Sequence, residues 1–465
     1  MSDFGTITTI SESPLRAGML LVGTDDGLVH LTTDGGAMWT DISSRFGMRE
    51  PPWVSRVLAS QHDADVAYVA FDGHQDDDFR PLLYRTGDGG RTWQSISRSI
   101  PDGLVINSLA EHPDSPAVLL VGTEFGLGVT YDGGRSWKRP GGNLPTVPVD
   151  DIVVHPRTRD IVLGTHGRGL IILDDARLMA SGDPESRASA VLAPPPTAVM
   201  TYLARAVPSA GAGEFSGENP PAGALLTYVL PARDVNESEG DSVTLVIRDG
   251  TGQVVQELRG PGTPGTHRVV WNLRHPLPYT PVASDAVWFG PPQGAWVLPG
   301  TYSVVLRHPE GEQQVALEVV SDPRVDVERG ALEARHAAGM AVHELLRAWA
   351  DADRVLTSLG RETTSTEQNP VDTTAAFVRG VRELQSVFAS GWGTLKSRIL
   401  DVHGAIQSST TGPTEAQQRM LGTFRDELTA NIARLNTTID GLTAWQGQQP
   451  SGGLPAAVRP PAMAP

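Results

Sequence analysis

Thr-x-Asp-Gly-Gly-x-x-Trp is written three times in the first third of this chain: TTDGGAMW from Thr32 to Trp39, TGDGGRTW from Thr86 to Trp93, and TYDGGRSW from Thr130 to Trp137. The motif aspartates Asp34, Asp88 and Asp132 lie 54 and then 44 residues apart. A repeat of ~40–50 residues is one supersecondary unit that buries its apolar face only against a neighbour. Each copy repeats one order of parts. An alternating apolar run (TITTI, VSRVLAS, VINSLAEH) precedes a second run that ends in a small polar loop (LLVGTDDG, AYVAFDGH, LLVGTEFG). A third run leads into Asp-Gly-Gly, and a fourth carries the Trp. Four short strands joined by Gly and Asp turns predict one antiparallel propeller blade.

The motif has a mechanical rationale. Two glycines permit the backbone angles of a tight turn. The Asp carboxylate and the Thr hydroxyl can accept backbone N–H groups inside it. The Trp offers a large face to the neighbouring blade. Asp34, Asp88 and Asp132, with Trp39, Trp93 and Trp137, are therefore expected to be structural.

These stretches resemble the Asp boxes, or BNR repeats, of sialidases, xyloglucanase-type glycoside hydrolases and sortilin-type receptors. Val121 to Asp175 is similar to the end of the propeller region in large bacterial BNR-repeat proteins, so the chain resembles the C-terminal portion of such a protein. The resemblance implies a propeller of six or more blades and a bacterial extracellular or envelope setting. Here three full units are followed by VDDIVVHP, DIVLGTHGRG and LIILDD, three strands of a fourth with no Asp box. The expectation is a partial Asp-box β-propeller of about four blades over residues 1–178. Its open faces would leave apolar surface wet, at a cost of ~25 cal/mol per Å². Self-association, or a chain that supplies the missing blades, is expected.

Residues 179–221 are rich in Pro, Ala, Gly and Ser and read as a linker. Alternating runs return over 222–323 (ALLTYVL, SVTLVIRD, HRVVWNL, GTYSVVLRH) and predict a β-sandwich. The stretch from His267 through Leu306 resembles the immunoglobulin-like domain of flagellar hook-cap type, with Trp271 as a core anchor. Three amphipathic stretches over 324–447 predict a three-helix bundle. Residues 448–465 read as a disordered tail.

The chain has 465 residues and a formal charge of −17, which opposes binding to nucleic-acid phosphates or anionic membranes. No apolar run is long enough to insert in a membrane, and the start MSDFGTITTI does not read as a signal peptide. The absence of cysteine excludes disulfides, thiolate metal sites and a cysteine nucleophile. No cofactor and no metal are expected. Neither a nucleophile elbow nor a phosphate-binding glycine loop is present.

Strand direction alternates in a blade, so the loops between second and third strands share the face opposite the Asp-box turns. On that rim stand Asp25 and Asp26, then Asp72, His74, Asp76, Asp77, Asp78 and Arg80, then Glu124, then His166 and Arg168. Three readings compete. A glycosidase needs two carboxylates ~5–10 Å apart, one of them with a raised pKa, and Asp72 with Glu124 are the candidates. A cation site needs several oxygen ligands, for which Asp76 to Asp78 are available without the spacing of a known calcium loop. The third is a solvated acidic loop that turns the chain. The Arg-Ile-Pro motif of sialidases is absent, which disfavours sialidase chemistry. The leading expectation is a binding or scaffold module that recognises glycan or protein at this rim, and the alternative is a glycoside hydrolase completed by missing blades.

Overall fold

The computed structural model describes residues 5–141, 143–201, 221–231, 242–285, 291–309, 311–366, 372–389 and 393–446. Residues 202–220 of the sequence-predicted linker (179–221) and the expected disordered tail (448–465) lie outside the described residues. The chain divides into two compact units, Met1–Ala193 with Val229–Asp234, and Pro194–Tyr228 with Val235–Pro465. It is mainly β, with small antiparallel sheets that resemble propeller blades and helices towards the C-terminus.

The first unit holds four such sheets in sequence order. The first is β1 (Ile7–Glu12), β2 (Leu20–Thr24), β3 (Val29–Thr32) and β4 (Thr40–Asp41); the second is β5 (Trp53–Ala59), β6 (Ala67–Gly73), β7 (Asp78–Thr86) and β8 (Gln94–Ser95). The third is β9 (Ile106–His112), β10 (Ser115–Thr123) and β11 (Gly126–Thr130), with Lys138 bridging to Val129 where a fourth strand would lie. The fourth is β12 (Val149–Val154), β13 (Ile161–Thr165) and β14 (Gly169–Leu173). A two-residue strand, β15 (Val191–Leu192), follows.

The second and third sheets are apolar on both faces because each packs between two neighbours. Val57 of β5 joins Leu21 and Leu31 of the first sheet in one core; Leu109 of β9 joins Tyr68 and Leu83 of the second; Ile152 of β12 joins Leu120 and Val129 of the third. Ile10, Val57, Leu109 and Ile152 hold one register place, opposite Val22, Val69, Val121 and Leu163 respectively. The pairing of every first strand shifts register just before that place, the signature of a bulge that bends the strand. First strands of successive sheets are also tied by hydroxyls. Thr8 Oγ1 donates to the Val54 carbonyl (2.8 Å), Ser55 Oγ to Ile106 (2.7 Å) and Ser108 Oγ to Val149 (3.0 Å).

The Asp-Gly-Gly turns are built alike. The Thr hydroxyls donate to Asp34, Asp88 and Asp132 at 2.8, 2.8 and 2.7 Å, and accept from Gly36, Gly90 and Gly134 N–H at 3.1, 3.0 and 3.0 Å. Both glycines of each box have positive φ (76° and 94° at Gly35 and Gly36), a region side chains rarely enter. The Trp of one sheet lies on the sheet before it. Trp93 meets the Phe46 ring at 4.9 Å, and Trp137 donates Nε1–H to the Ile96 carbonyl at 2.7 Å.

In the second unit, β16 (Ala198–Met200), β22 (Gly311–Ser321), β21 (Gly300–His308), β18 (Ser242–Arg248) and β19 (Val254–Pro261) form a five-stranded sheet in that order, with β16 parallel to β22. β17 (Ala224–Leu230), whose last two residues are counted with the first unit, pairs with β20 (Gly265–Trp271). Trp271 is fully buried, 5.4 Å from the Tyr302 ring. An immunoglobulin-like topology is not shown by these sheets. Among the described residues four helices follow where three were expected: α1 (Arg329–Thr366), α2 (Asp372–Val387), α3 (Leu395–Gln407) and α4 (Glu415–Gln446). The second predicted stretch divides because Gly393 takes a left-handed φ of 80°, and Thr394 caps α3 by accepting Ser397 N–H at 3.3 Å. The β20–β21 connection packs on the helices: Leu277 and Tyr279 lie against their core, and Trp296 N–H donates to Gln407 Oε1 at 2.9 Å.

Candidate functional site

The loops between second and third strands sit at one end of the first unit, beside the segments that join one sheet to the next. His166 N–H donates to the Pro148 carbonyl just before β12 (3.0 Å), and Asp25 N–H to the Thr6 carbonyl just before β1 (3.0 Å). A threonine at the end of the second strand closes three of the four hairpins. Thr24 Oγ1 accepts the Leu28 N–H, while Thr123 Oγ1 donates to the Gly126 carbonyl and Thr165 Oγ1 to Gly169, at 3.0, 2.9 and 2.7 Å. The rim is thus a row of braced turns that project their central side chains.

Those side chains have separate employments. Asp25 Oδ1 accepts the Gly5 and Thr6 N–H groups, both at 2.8 Å, and the Gly5 bond above all holds its carboxyl below the usual carboxylate range. Asp26 accepts the Thr24 hydroxyl. Asp72 is buried and grips His74, whose Nδ1 lies 2.7 Å from both carboxylate oxygens. Asp78 and Arg80 form a two-point pair, at 2.8 Å from Nε and 2.6 Å from Nη2, and the guanidinium bond depresses the Asp78 pKa. Between them Asp76 and Asp77 are exposed, with Asp77 at a left-handed φ of 56°. Glu124 accepts from Asn107 Nδ2 at 3.1 Å, and His166 stands 3.8 Å from Asp150. Arg168 is exposed.

Asp72 and His74 are therefore brought together, as are Asp78 and Arg80. Among the described residues no hydrogen bond joins Asp72 to Glu124, and no three His, Asp or Glu side chains converge as metal ligands. Two features of the rim escaped the sequence reading. Phe79 is 50% exposed at the start of β7, and Phe125 is 55% exposed in the neighbouring Glu124 loop. Arg56 of β5 reaches Asp151 of β12, Nη2 to Oδ1 at 2.6 Å, and so links first strands two sheets apart. The recurrence of an aromatic after an acidic residue in DDDF and TEF was the available signal for the first feature. The second depends on the curvature of the stack, which no local pattern encodes.

No protein-family model matches the chain, and no curated protein matches it. Solved structures give distant likenesses at low identity. They include a GH74 enzyme from Niastella koreensis (13% identity, TM-score 0.29, covering 38% of this chain and 29% of that one). A second is a GH74 xyloglucanase from Xanthomonas campestris (14%, TM-score 0.30, 67% and 47%), and a third is YCF48 bound to D1 peptide (16%, TM-score 0.22, 37% and 66%). The chain spans less than half the length of either GH74 structure.

Proposed function

We propose that the first unit is a recognition module whose rim binds a glycan. The observation that carries this reading is the pair of exposed phenylalanines of adjacent sheets, Phe79 at the start of β7 and Phe125 in the loop after β10, among carboxylates, a histidine and an arginine. An exposed aromatic ring offers a flat apolar face to the C–H side of a sugar, and the neighbouring polar groups suit its hydroxyls. Loops held by Thr and Asp braces present these groups with little ordering left to do on binding. The two-sheet part of the second unit is read with it as an immunoglobulin-like accessory.

The direction of the resolved rim pKa shifts favours binding over turnover. The perturbed rim carboxyls, Asp25 and Asp78, are both shifted downwards, whereas a glycosidase acid is shifted upwards. A hydrolase is the second reading, and buried Asp72 holding His74 is the observation in its favour.

Titration of the full chain with a panel of soluble neutral oligosaccharides, followed by calorimetry and by release of reducing ends, tests both. Phe79→Ala and Phe125→Ala are each expected to weaken binding at least ~10-fold, consistent with loss of an aromatic anchor, and Asp76/Asp77/Asp78→Ala to weaken it further. Binding untouched by all of these would refute the rim. Turnover that Glu124→Gln abolishes while binding persists would establish the hydrolase.

A further inference from the structure

The four sheets repeat one interface three times, and the two outer faces of the series carry its two halves. The side of each sheet that meets the sheet before it bears the register place of Val57, Leu109 and Ile152, all buried. In the first sheet that place is Ile10, and Ile10 is 61% exposed. Ile7 beside it is equally open. The Asp-box tryptophan belongs to the same side. Trp93 and Trp137 pack on the preceding sheet, whereas Trp39 is 43% exposed. The second glycines tell the same story. A side chain at Gly90 would meet Leu31 of the first sheet and one at Gly134 would meet Ile96 of the second, but at Gly36 it would meet only the box's own Trp39.

The other half lies on the fourth sheet. Val153, Val162 and Ile172 stand opposite one another across its three strands. They match Ala110, Leu120 and Val129 of the third sheet, which are buried against the fourth. Val153 and Ile172 are more than half exposed, and Leu170 on the same strand more so.

We infer that the chain pairs with a second copy of itself head to tail, with the Val153–Leu170–Ile172 face of one copy seated on the Ile7–Ile10–Trp39 face of the other. Both outer faces continue the interfaces inside the chain. The exposed head face is the one that takes a tail face three times within the chain, and the exposed tail face is the one that a head face covers three times. A partner with both surfaces is a copy of this chain. Unlike faces in contact either close a ring or run on as a filament. Two copies of four sheets make eight blades, inside the usual range of ~4–8. Five-residue strands such as β2, with a rise of ~3.4 Å and a spacing of ~4.8 Å, give each face roughly 300 Å². Two such faces approach the ~800 Å² that each partner contributes to a standard interface.

Sedimentation velocity of the full chain at micromolar to tens of micromolar concentration tests the pairing. A dimer is expected. Ile10→Glu (head) and Ile172→Glu (tail) alter exposed positions, so each variant should keep the circular dichroism of the parent while its dimer fraction falls at least ~10-fold. Trp39→Ser and Leu170→Glu repeat the two arms independently. Mixing a head variant with a tail variant leaves one good head and one good tail, and a one-to-one heterodimer should return. A monomeric parent, a dimer indifferent to all four substitutions, or no recovery on mixing would overturn the proposal. Assemblies larger than a dimer would overturn closure at two copies.

Discussion

Asp132 receives the Arg135 and Ser136 backbone N–H groups, each at 2.9 Å, together with the hydroxyls of Thr130 and Ser136. Burial works against its ionisation, yet the Ser136 and Thr130 bonds outweigh it and the pKa falls. A carboxyl depressed on folding stabilises above its unfolded pKa and loses that contribution as pH drops through the folded value. The brace is therefore intact above pH ~4 and fails in stronger acid. Asp132→Ala removes the acceptor from four donors and is expected to cost about 1–3 kcal/mol, read as a lower urea midpoint at unchanged slope. An unchanged midpoint would show that the turn holds without its carboxylate. This role was legible because donors and acceptor lie within six residues of one another. Phe79 and Phe125 were not: whether an aromatic is core or rim depends on what the rest of the chain lays over it, and single positions carry no record of that.

Helices and sheets were legible to the extent that their signals are periodic. The blade-like sheets followed from four alternating runs per repeat, and the helices from three-and-four spacing, but the break at Gly393 was hidden inside an amphipathic stretch. The docking of the β20–β21 connection was hidden altogether, because its bonds join residues about a hundred positions apart. Lys396 at the start of α3 lies buried against Asp285 of that connection, Nζ to carboxylate at 2.7 Å, with its ammonium 4.2 Å and 4.3 Å from the centres of the Tyr279 and Trp349 rings. Removing one member of a buried pair strands the other charge, at a cost of about 3–5 kcal/mol, whereas neutralising both is much milder. Lys396→Met alone should lower the stability of the second unit by that amount, and Lys396→Met with Asp285→Asn should recover roughly half. Equal losses in the single and double variants, measured by urea unfolding, would show that packing rather than charge pins the connection.

The two units differ in the balance of their titrations, so acid should act on them unequally: burial lowers His275, His343 and His403 in the second unit and His112 of β9 in the first. In the first unit the resolved shifts on Asp-box carboxylates are downward, and their contribution survives until the pH falls below ~4. In the second unit burial holds three histidines neutral. It pushes His275 down to about 4, aided by His336 and His343, and His403 down to about 4 against the bond it donates to Gln293, and it lowers His343 as well. A histidine depressed on folding binds its proton more readily when unfolded. Stability is thus complete above pH ~6.5 and falls as pH drops from there towards 4. His275 belongs to the β20–β21 connection, His343 to α1 and His403 to α3, so their protonation places like charges together where the connection meets the helices. The described α-helices are all in the second unit, so helical circular dichroism reports that unit alone. Between pH 6.5 and 4, its melting temperature should fall steeply, while hydrogen exchange in β6, in the sheet before the one that holds His112, stays slow. His403→Gln, which cannot take up a proton, should flatten the acid slope of the helical signal. Simultaneous loss of helix and of β6 protection would mean that a single cooperative transition spans both units and that the histidines do not set its pH.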